Sequence, residues 1–234
     1  MHTNWETSSS AQDYSHSVEA ADWQTMGYPA VFDVLGLGKV GKGTVIDYGC
    51  GPGFVAQHVA AAFDHPVLAV DTSKSMVNLA AQKHPHSRVN HQHIASGRMS
   101  FLPDSSAGAC MSCFVFMQIA DRRAMLEACK EIQRVLRPNA VFAMLNTDPD
   151  SVGIQFKTLR NGEPDRTYAS GDPMTTVLAT EHGELTLRDY YWSVDDYATV
   201  VTDAGFRDVE VIHLPPPAGD STPHPQFLLV HGTA

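Results

Sequence analysis

Short apolar runs alternate with helical stripes through the first two thirds of this chain. Val67-Leu-Ala-Val70 and Ala140 to Leu145 are continuous apolar runs of the length of buried strands, Ala109 to Ile119 is a longer run carrying Ser112 and Gln118, and β-branched Val45-Ile46 leads into Asp47. With a short segment near 89–94, they predict strands at about 44–48, 66–71, 89–94, 109–116 and 140–145. Between them Val55, Val59, Ala62 and Phe63 share one helical face, giving a helix over about 53–63. A second helix covers 73–83, opening at Thr72 or Ser73. In a third, Asp121 caps a stripe of Met125, Ala128, Cys129, Ile132, Val135 and Leu136, and Pro138-Asn139 ends it. Strands alternating with helices imply a parallel sheet covered on both faces, so the fold class is α/β, Rossmann-like.

The pattern breaks after residue 147. Residues 148–182 are rich in Gly, Pro, Asp and Thr and read as irregular chain. Leu185 to Trp192 then alternates as a strand. Ser193-Val-Asp-Asp196 is a capping box opening a helix that Gly205 closes. Val209–Leu214 and Phe227–His231 are too close for a helical crossover and read as an antiparallel hairpin. Upstream, residues 1–10 have the composition of a disordered tail, and 11–37 read as one or two helices carrying Tyr14, Trp23, Tyr28, Phe32 and Leu35. The expected organisation is one domain over 11–234. Residues 11–43 are a helical cover, 44–147 a cofactor-binding core, 148–192 a cap and substrate segment, and 193–234 the closing helix and strands.

The chemistry concentrates in Val45-Ile-Asp-Tyr-Gly-Cys-Gly-Pro-Gly53. A strand runs into Asp47 and then into three glycines, Gly49, Gly51 and Gly53, before a helix. Such a turn lets backbone N–H groups approach a ligand closely. The spacing is D-x-G-x-G-x-G rather than the G-x-G-x-x-G of dinucleotide sites, and Asp47 suits an ammonium better than a pyrophosphate. Asp71 ends the second strand, where a carboxylate meets a ribose diol.

These residues, with Asp71-Thr-Ser-Lys-Ser-Met76 and Leu136-Arg-Pro-Asn139, resemble the class I S-adenosylmethionine-dependent methyltransferases. The likeness spans roughly residues 40 to 147 and is greatest to the small-molecule branch known as methyltransferase domain type 11. It implies a seven-stranded, mostly parallel sheet with an antiparallel last strand. It implies S-adenosylmethionine as cofactor and S-adenosylhomocysteine as product. Gly49, Gly51 and Gly53 would then pass beneath the methionine half, Asp47 would meet its ammonium, and Asp71, with Thr72 beside it, the ribose hydroxyls. Met76 stands where the family packs an apolar side chain on adenine. The family's acid after strand three has no counterpart here, and Ser96 is the nearest match. Ala107-Gly108 replaces the Phe-Asp common before strand four.

Met117 and Gln118 follow strand four, and its carboxyl end faces the crevice of an open α/β sheet, so both are expected near the transferred methyl. Candidates for a general base are His16, His182, Tyr190 and Tyr191, with His182 and Tyr191 carried as catalytic positions because they close the cap. Tyr14, Tyr28, Gln118 and Tyr168 are the expected acceptor contacts.

A net charge of −10 argues against a nucleic-acid partner and leaves a small-molecule acceptor. No apolar run approaches the ~18 residues of a membrane span, so no membrane partner is expected. Cys110 and Cys113, three apart on a strand, fall on opposite faces rather than forming a metal or redox pair. With Cys50 and Cys129 they read as reduced thiols of a cytoplasmic protein. The pairs His84/His86 and His91/His93 lack acid or cysteine partners at ligand spacing, so no metal is expected. The reading is methyl transfer to an O or N atom of a small molecule, in the manner of secondary-metabolite enzymes. A monomer and a homodimer are both compatible. An S-adenosylmethionine-binding module or cyclase without transferase chemistry, and a nicotinamide-dependent oxidoreductase, are the alternatives.

Overall fold

The computed structural model describes residues 15, 27–39, 43–180, 183–217 and 219–234. Helix α1 (Tyr28–Leu35) leads into β1 (Val45–Tyr48), α2 (Phe54–Phe63), β2 (Val67–Asp71), α3 (Lys74–Lys83) and β3 (Val89–His93). β4 (Ala107–Cys113), α4 (Arg122–Val135) and β5 (Leu136–Thr147) complete the regular alternation. Three strands follow, β6 (Leu159–Asn161), β7 (Pro173–Thr180) and β8 (Gly183–Tyr190). Then come α5 (Val194–Asp203), β9 (Arg207–Leu214) and β10 (Phe227–Thr233).

Seven strands form one sheet in the order β3-β2-β1-β4-β5-β10-β9. Only β10 runs antiparallel to its neighbours. The expected fold class and closing hairpin are therefore those the chain adopts. The pleat sorts the apolar residues by period two. Ile46, Val70, Cys110, Phe142 and Met144 meet α4 and α5 on one face. Val45, Ala69, Met111, Leu145 and Leu229 meet α1 and α2 on the other. Cys110 belongs to the first layer and Cys113 packs against the second, as their spacing requires. Ser73, rather than Thr72, caps α3, its hydroxyl accepting from Met76 N at 3.2 Å. The capping box of α5 is made by Ser193 and Asp196.

Three expectations are corrected. The fourth strand ends at Cys113 and not near 116, because Phe114 adopts φ 60° and turns the chain into a 3-10 turn, Phe116–Gln118. The fifth strand begins at Leu136, which pairs with Ala107; after Pro138-Asn139, where Asn139 has φ 67°, pairing resumes with Val141 beside Ala109. Residues 148–182, expected to be irregular, supply all of β6 and β7. With β8 these form a separate three-stranded antiparallel sheet inserted between β5 and α5. The β-branched run within Met174 to Thr180 carried that strand signal, but its Gly- and Asp-rich flanks masked it.

The inserted sheet buries a polar cluster. Thr176 Oγ1 lies 2.7 Å from Asn161 Oδ1 and also against Asp189 Oδ2. A hydroxyl has one proton to give. Thr176 donates to Asp189 when the Asn161 amide presents its NH2 to the hydroxyl, and accepts from a protonated Asp189 otherwise. Burial pushes the Asp189 carboxyl up to about 7, against the opposing pull of Thr176. A carboxyl raised in the folded state contributes stability below its unfolded pKa of ~3.9, and loses it as pH rises through about 7. Asp189→Asn is therefore expected to be more stable than wild type at about pH 8, each kcal/mol recovered raising the melting midpoint by about 2–4 °C. The difference should shrink towards about pH 5, and parallel midpoint-versus-pH curves for the two proteins would contradict the assignment.

Candidate active site

β1 lies between β2 and β4, so the chain reverses its lateral direction there and leaves a crevice at the strands' carboxyl ends. A cavity of about 290 Å³ occupies it. One wall is the turn after β1, where Gly49 and Gly51 have φ 79° and 50°. Gly49 N and Cys50 N donate to Val70 O at 2.8 and 2.9 Å. Asp71 braces this wall twice. Its Oδ2 accepts from Gly51 N at 2.9 Å and its Oδ1 from Ser73 N at 2.8 Å, joining the glycine turn to the start of α3. A Cβ on Gly49 would stand 2.3 Å from Val115 Cγ2. One on Gly53 would stand 2.7 Å from the Ala80 Cβ, so Gly53 seats α2 on α3 rather than facing the cavity.

Asp47 lines the cavity beside this turn, 3% exposed, and its Oδ2 has no hydrogen-bond partner. Burial, then the nearby Asp71, pushes its carboxyl up to about 7. A buried acceptor left unpaired costs free energy that a cationic ligand group removes. The cavity thus fits an ammonium-bearing cofactor and opposes a pyrophosphate. Cys50 and Cys113 also line it, with thiols raised by burial and then by Asp47, and so protonated and weakly nucleophilic near neutrality.

Aromatic rings form much of the remaining wall. Tyr28 of α1 meets the Phe114 ring edge-on at 6.0 Å, and Phe54 and Tyr190 also face the cavity. Gln118 Nε2 donates to Phe114 O at 3.0 Å, bracing the left-handed residue. Trp192 Nε1 donates to Ile119 O at 2.9 Å and ties the inserted sheet to this wall. β8 thereby brings Arg188 and Tyr190 to the cavity, the guanidinium carbon 5.8 Å from the Tyr190 ring centre.

Of the residues expected from sequence, the cavity brings together Asp47, Gly49, Gly51, Asp71, Thr72 and Met76, with Tyr28 and Gln118. Ser96 is exposed and does not line it; the chain turns outward at Gly97, φ 72°, whose carbonyl accepts from the Tyr48 hydroxyl at 2.8 Å. Ile94 lines the cavity in its place. Met117 points into the core, its sulfur 3.7 Å from the Thr147 hydroxyl, while Val115 and Ile119 face the ligand space. Tyr168 is interior to the inserted segment, its ring stacked at 6.0 Å on Tyr191 and its hydroxyl accepting from Glu163 N at 3.0 Å. Tyr191 shares that stack rather than the cavity. Its hydroxyl is raised by burial, then by Asp150 and Asp196, which disfavours a phenolate. Strand alternation gives the cavity to Tyr190, one residue earlier. Tyr14, His16, Trp23 and His182 lie outside the described residues. Arg188 was missed, although alternation along Leu185–Trp192 separates Arg188 and Tyr190 from Leu187.

Residues 45–139 match the model of a methyltransferase domain. The N-demethylindolmycin N-methyltransferase of Streptomyces griseus is 56% identical over 237 aligned positions, covering 100% of each chain. Among solved structures, a SAM-dependent methyltransferase from Aquifex aeolicus superposes with TM-score 0.63 at 19% identity, covering 97% of this chain and 98% of that one. The 1,6-didemethyltoxoflavin-N1-methyltransferase of Burkholderia thailandensis, with its substrate and S-adenosylhomocysteine bound, superposes with TM-score 0.61 at 16% identity, covering 96% and 84%. Sheet order and crevice define an α/β protein with a ligand-sized cavity at the carboxyl ends of its strands. The chain belongs to the S-adenosylmethionine-dependent methyltransferases, and it acts on a small molecule with S-adenosylmethionine as methyl donor. No helix among the described residues is long and apolar enough to cross a membrane.

Proposed function

We propose that the methyl acceptor is a nitrogen atom of a small aromatic metabolite, and that N-demethylindolmycin is the first compound to test. The observation that carries this is a single cavity lined both by an unpartnered buried carboxylate, Asp47 Oδ2, and by the aromatic rings of Tyr28, Phe54, Phe114 and Tyr190. The full-length relative that acts on N-demethylindolmycin supports the choice of nitrogen.

S-adenosylmethionine supplies a methyl group on a positively charged sulfur, a leaving group that needs no protonation. Asp47 is assigned the cofactor's ammonium and Asp71 its ribose hydroxyls, the same Asp71 carboxylate that accepts from Gly51 N and Ser73 N. Met76 and Ile94 flank the adenine space. Residues 148–192 act as the cap, excluding water and turning the acceptor's lone pair towards the methyl. Such alignment lowers a barrier by up to ~7–11 kcal/mol. A neutral nitrogen attacks without prior loss of a proton, so the chain's part is alignment rather than base catalysis.

With the Asp47 carboxyl at about 7, binding to an ammonium strengthens as pH rises and that group ionises. Affinity for S-adenosylhomocysteine should rise roughly eightfold between about pH 6 and about pH 7.5, a range in which the ligand's free amino-acid ammonium keeps its proton. Calorimetry should show this slope in wild type and a flat, weaker response in Asp47→Asn. A slope that survives in the variant removes Asp47 from the ammonium site. The acceptor is tested by incubating the enzyme with S-adenosylmethionine and N-demethylindolmycin and mapping the product by mass spectrometry and NMR. One methyl on nitrogen supports the reading. Cofactor binding without turnover of this compound refutes the acceptor.

A further inference from the structure

The charged residues of the cavity come from different parts of the fold. Asp47 and Asp71 belong to the strand ends beside the glycine turn, whereas Arg188 arrives on β8 of the inserted sheet. Among the described residues it is the sole cation lining the space. Its orientation follows from the pleat. Arg188 and Tyr190 share one face of β8, while Leu187 and Asp189 occupy the other and are buried. Antiparallel pairing of Arg188 with Thr175 holds the strand, and the Trp192 bond to Ile119 fixes its end above the turn that follows β4.

A guanidinium has five donors, no acceptor, and keeps its charge at any pH where the protein is folded. Its complement is an oxygen-rich, planar or anionic group. Tyr190 places an aromatic plate beside the guanidinium, and Tyr28 and Phe114 supply further ring surface. An aromatic ring with an oxygen on a short arm satisfies both features at once.

We propose that Arg188 positions the methyl acceptor by binding a carbonyl or carboxylate oxygen that the acceptor carries near its reacting nitrogen. This rests on the methyltransferase reading above and adds the chemical class of the acceptor. The carboxylate of the cofactor's methionine half offers the same chemistry. Arg188 is assigned to the acceptor because it lies on the inserted sheet and outside residues 45–139, the part that matches the family's shared domain.

Three measurements on wild type, Arg188→Met and Arg188→Lys separate the outcomes. S-adenosylhomocysteine should bind all three within about twofold, whereas KM for N-demethylindolmycin should rise about ten- to a hundredfold in Arg188→Met, the scale of a lost charged hydrogen bond, and recover in part in Arg188→Lys. In the enzyme loaded with S-adenosylhomocysteine, wild type should prefer indole-3-acetate to 3-methylindole, and Arg188→Met should lose that preference. Weakened S-adenosylhomocysteine binding with an unchanged acceptor KM would overturn the proposal and give the guanidinium to the cofactor's carboxylate. No change in either would also overturn it. If wild type fails to turn over N-demethylindolmycin, that acceptor is wrong, and the probe pair still decides on Arg188. Absence of a wild-type preference for the carboxylate overturns the proposal on its own.

Discussion

Gly49→Ala is expected to lower affinity for S-adenosylhomocysteine by at least about a hundredfold, ~2.8 kcal/mol at ~1.4 kcal/mol per factor of ten. Two costs coincide at this position. An L-residue at φ 79° is strained by roughly 1–2 kcal/mol, and its Cβ would lie 2.3 Å from Val115 Cγ2, closer than real side chains approach. The turn must move, and with it the Gly49 and Cys50 N–H groups that anchor it to Val70 O. Adding Val115→Ala removes the two closest contacts, leaving its Cβ at 3.3 Å and the dihedral strain, so the double variant should recover part of the lost affinity. Full affinity in Gly49→Ala would mean that the turn does not approach the ligand.

Asp71→Ala should be comparably severe, for a reason visible only in three dimensions. The sequence alone assigns this acid a ribose diol, worth ~1.5–3 kcal/mol for charge-assisted hydrogen bonds. The structure adds that the same carboxylate accepts from Gly51 N and Ser73 N, so truncation strands two backbone donors and loosens the start of α3. The expected loss of cofactor affinity is about a hundredfold or more, accompanied by a lower melting midpoint. Because Asp71 also raises the Asp47 carboxyl, residual binding in the variant should reach its pH plateau at a lower pH than in wild type. Unchanged calorimetric affinity in a folded variant would remove Asp71 from the site.

The cofactor half of the cavity was legible because its determinants are local. A strand, a glycine turn and an acid at the end of the next strand are consecutive signals, and Asp47, Gly49, Gly51 and Asp71 all reach the cavity. The acceptor contacts were legible only in part, Tyr28 and Gln118 reaching the cavity, because the rest depend on which face a residue presents after a turn that sequence does not announce. Phe114 in a left-handed conformation redirects the chain, so that Val115 and Ile119 face the cavity and Met117 does not. A one-residue step along β8 exchanges Tyr191 for Tyr190. Arg188 lies 117 positions beyond Asp71 in a sheet whose strands sit among turn-forming residues, and no local pattern connects the two. Gly53 shows the reverse case: the motif flags it, but its work is to let α2 lie on α3.

The most direct test is a crystal structure of the enzyme with S-adenosylhomocysteine and N-demethylindolmycin bound together. The account predicts the ligand ammonium at Asp47 Oδ2, the ribose hydroxyls at Asp71, and the acceptor against the aromatic wall with an oxygen at Arg188 and its unmethylated nitrogen facing the cofactor sulfur. A cofactor seated away from Asp47, or an acceptor held outside the cavity with no contact to β8, would contradict it.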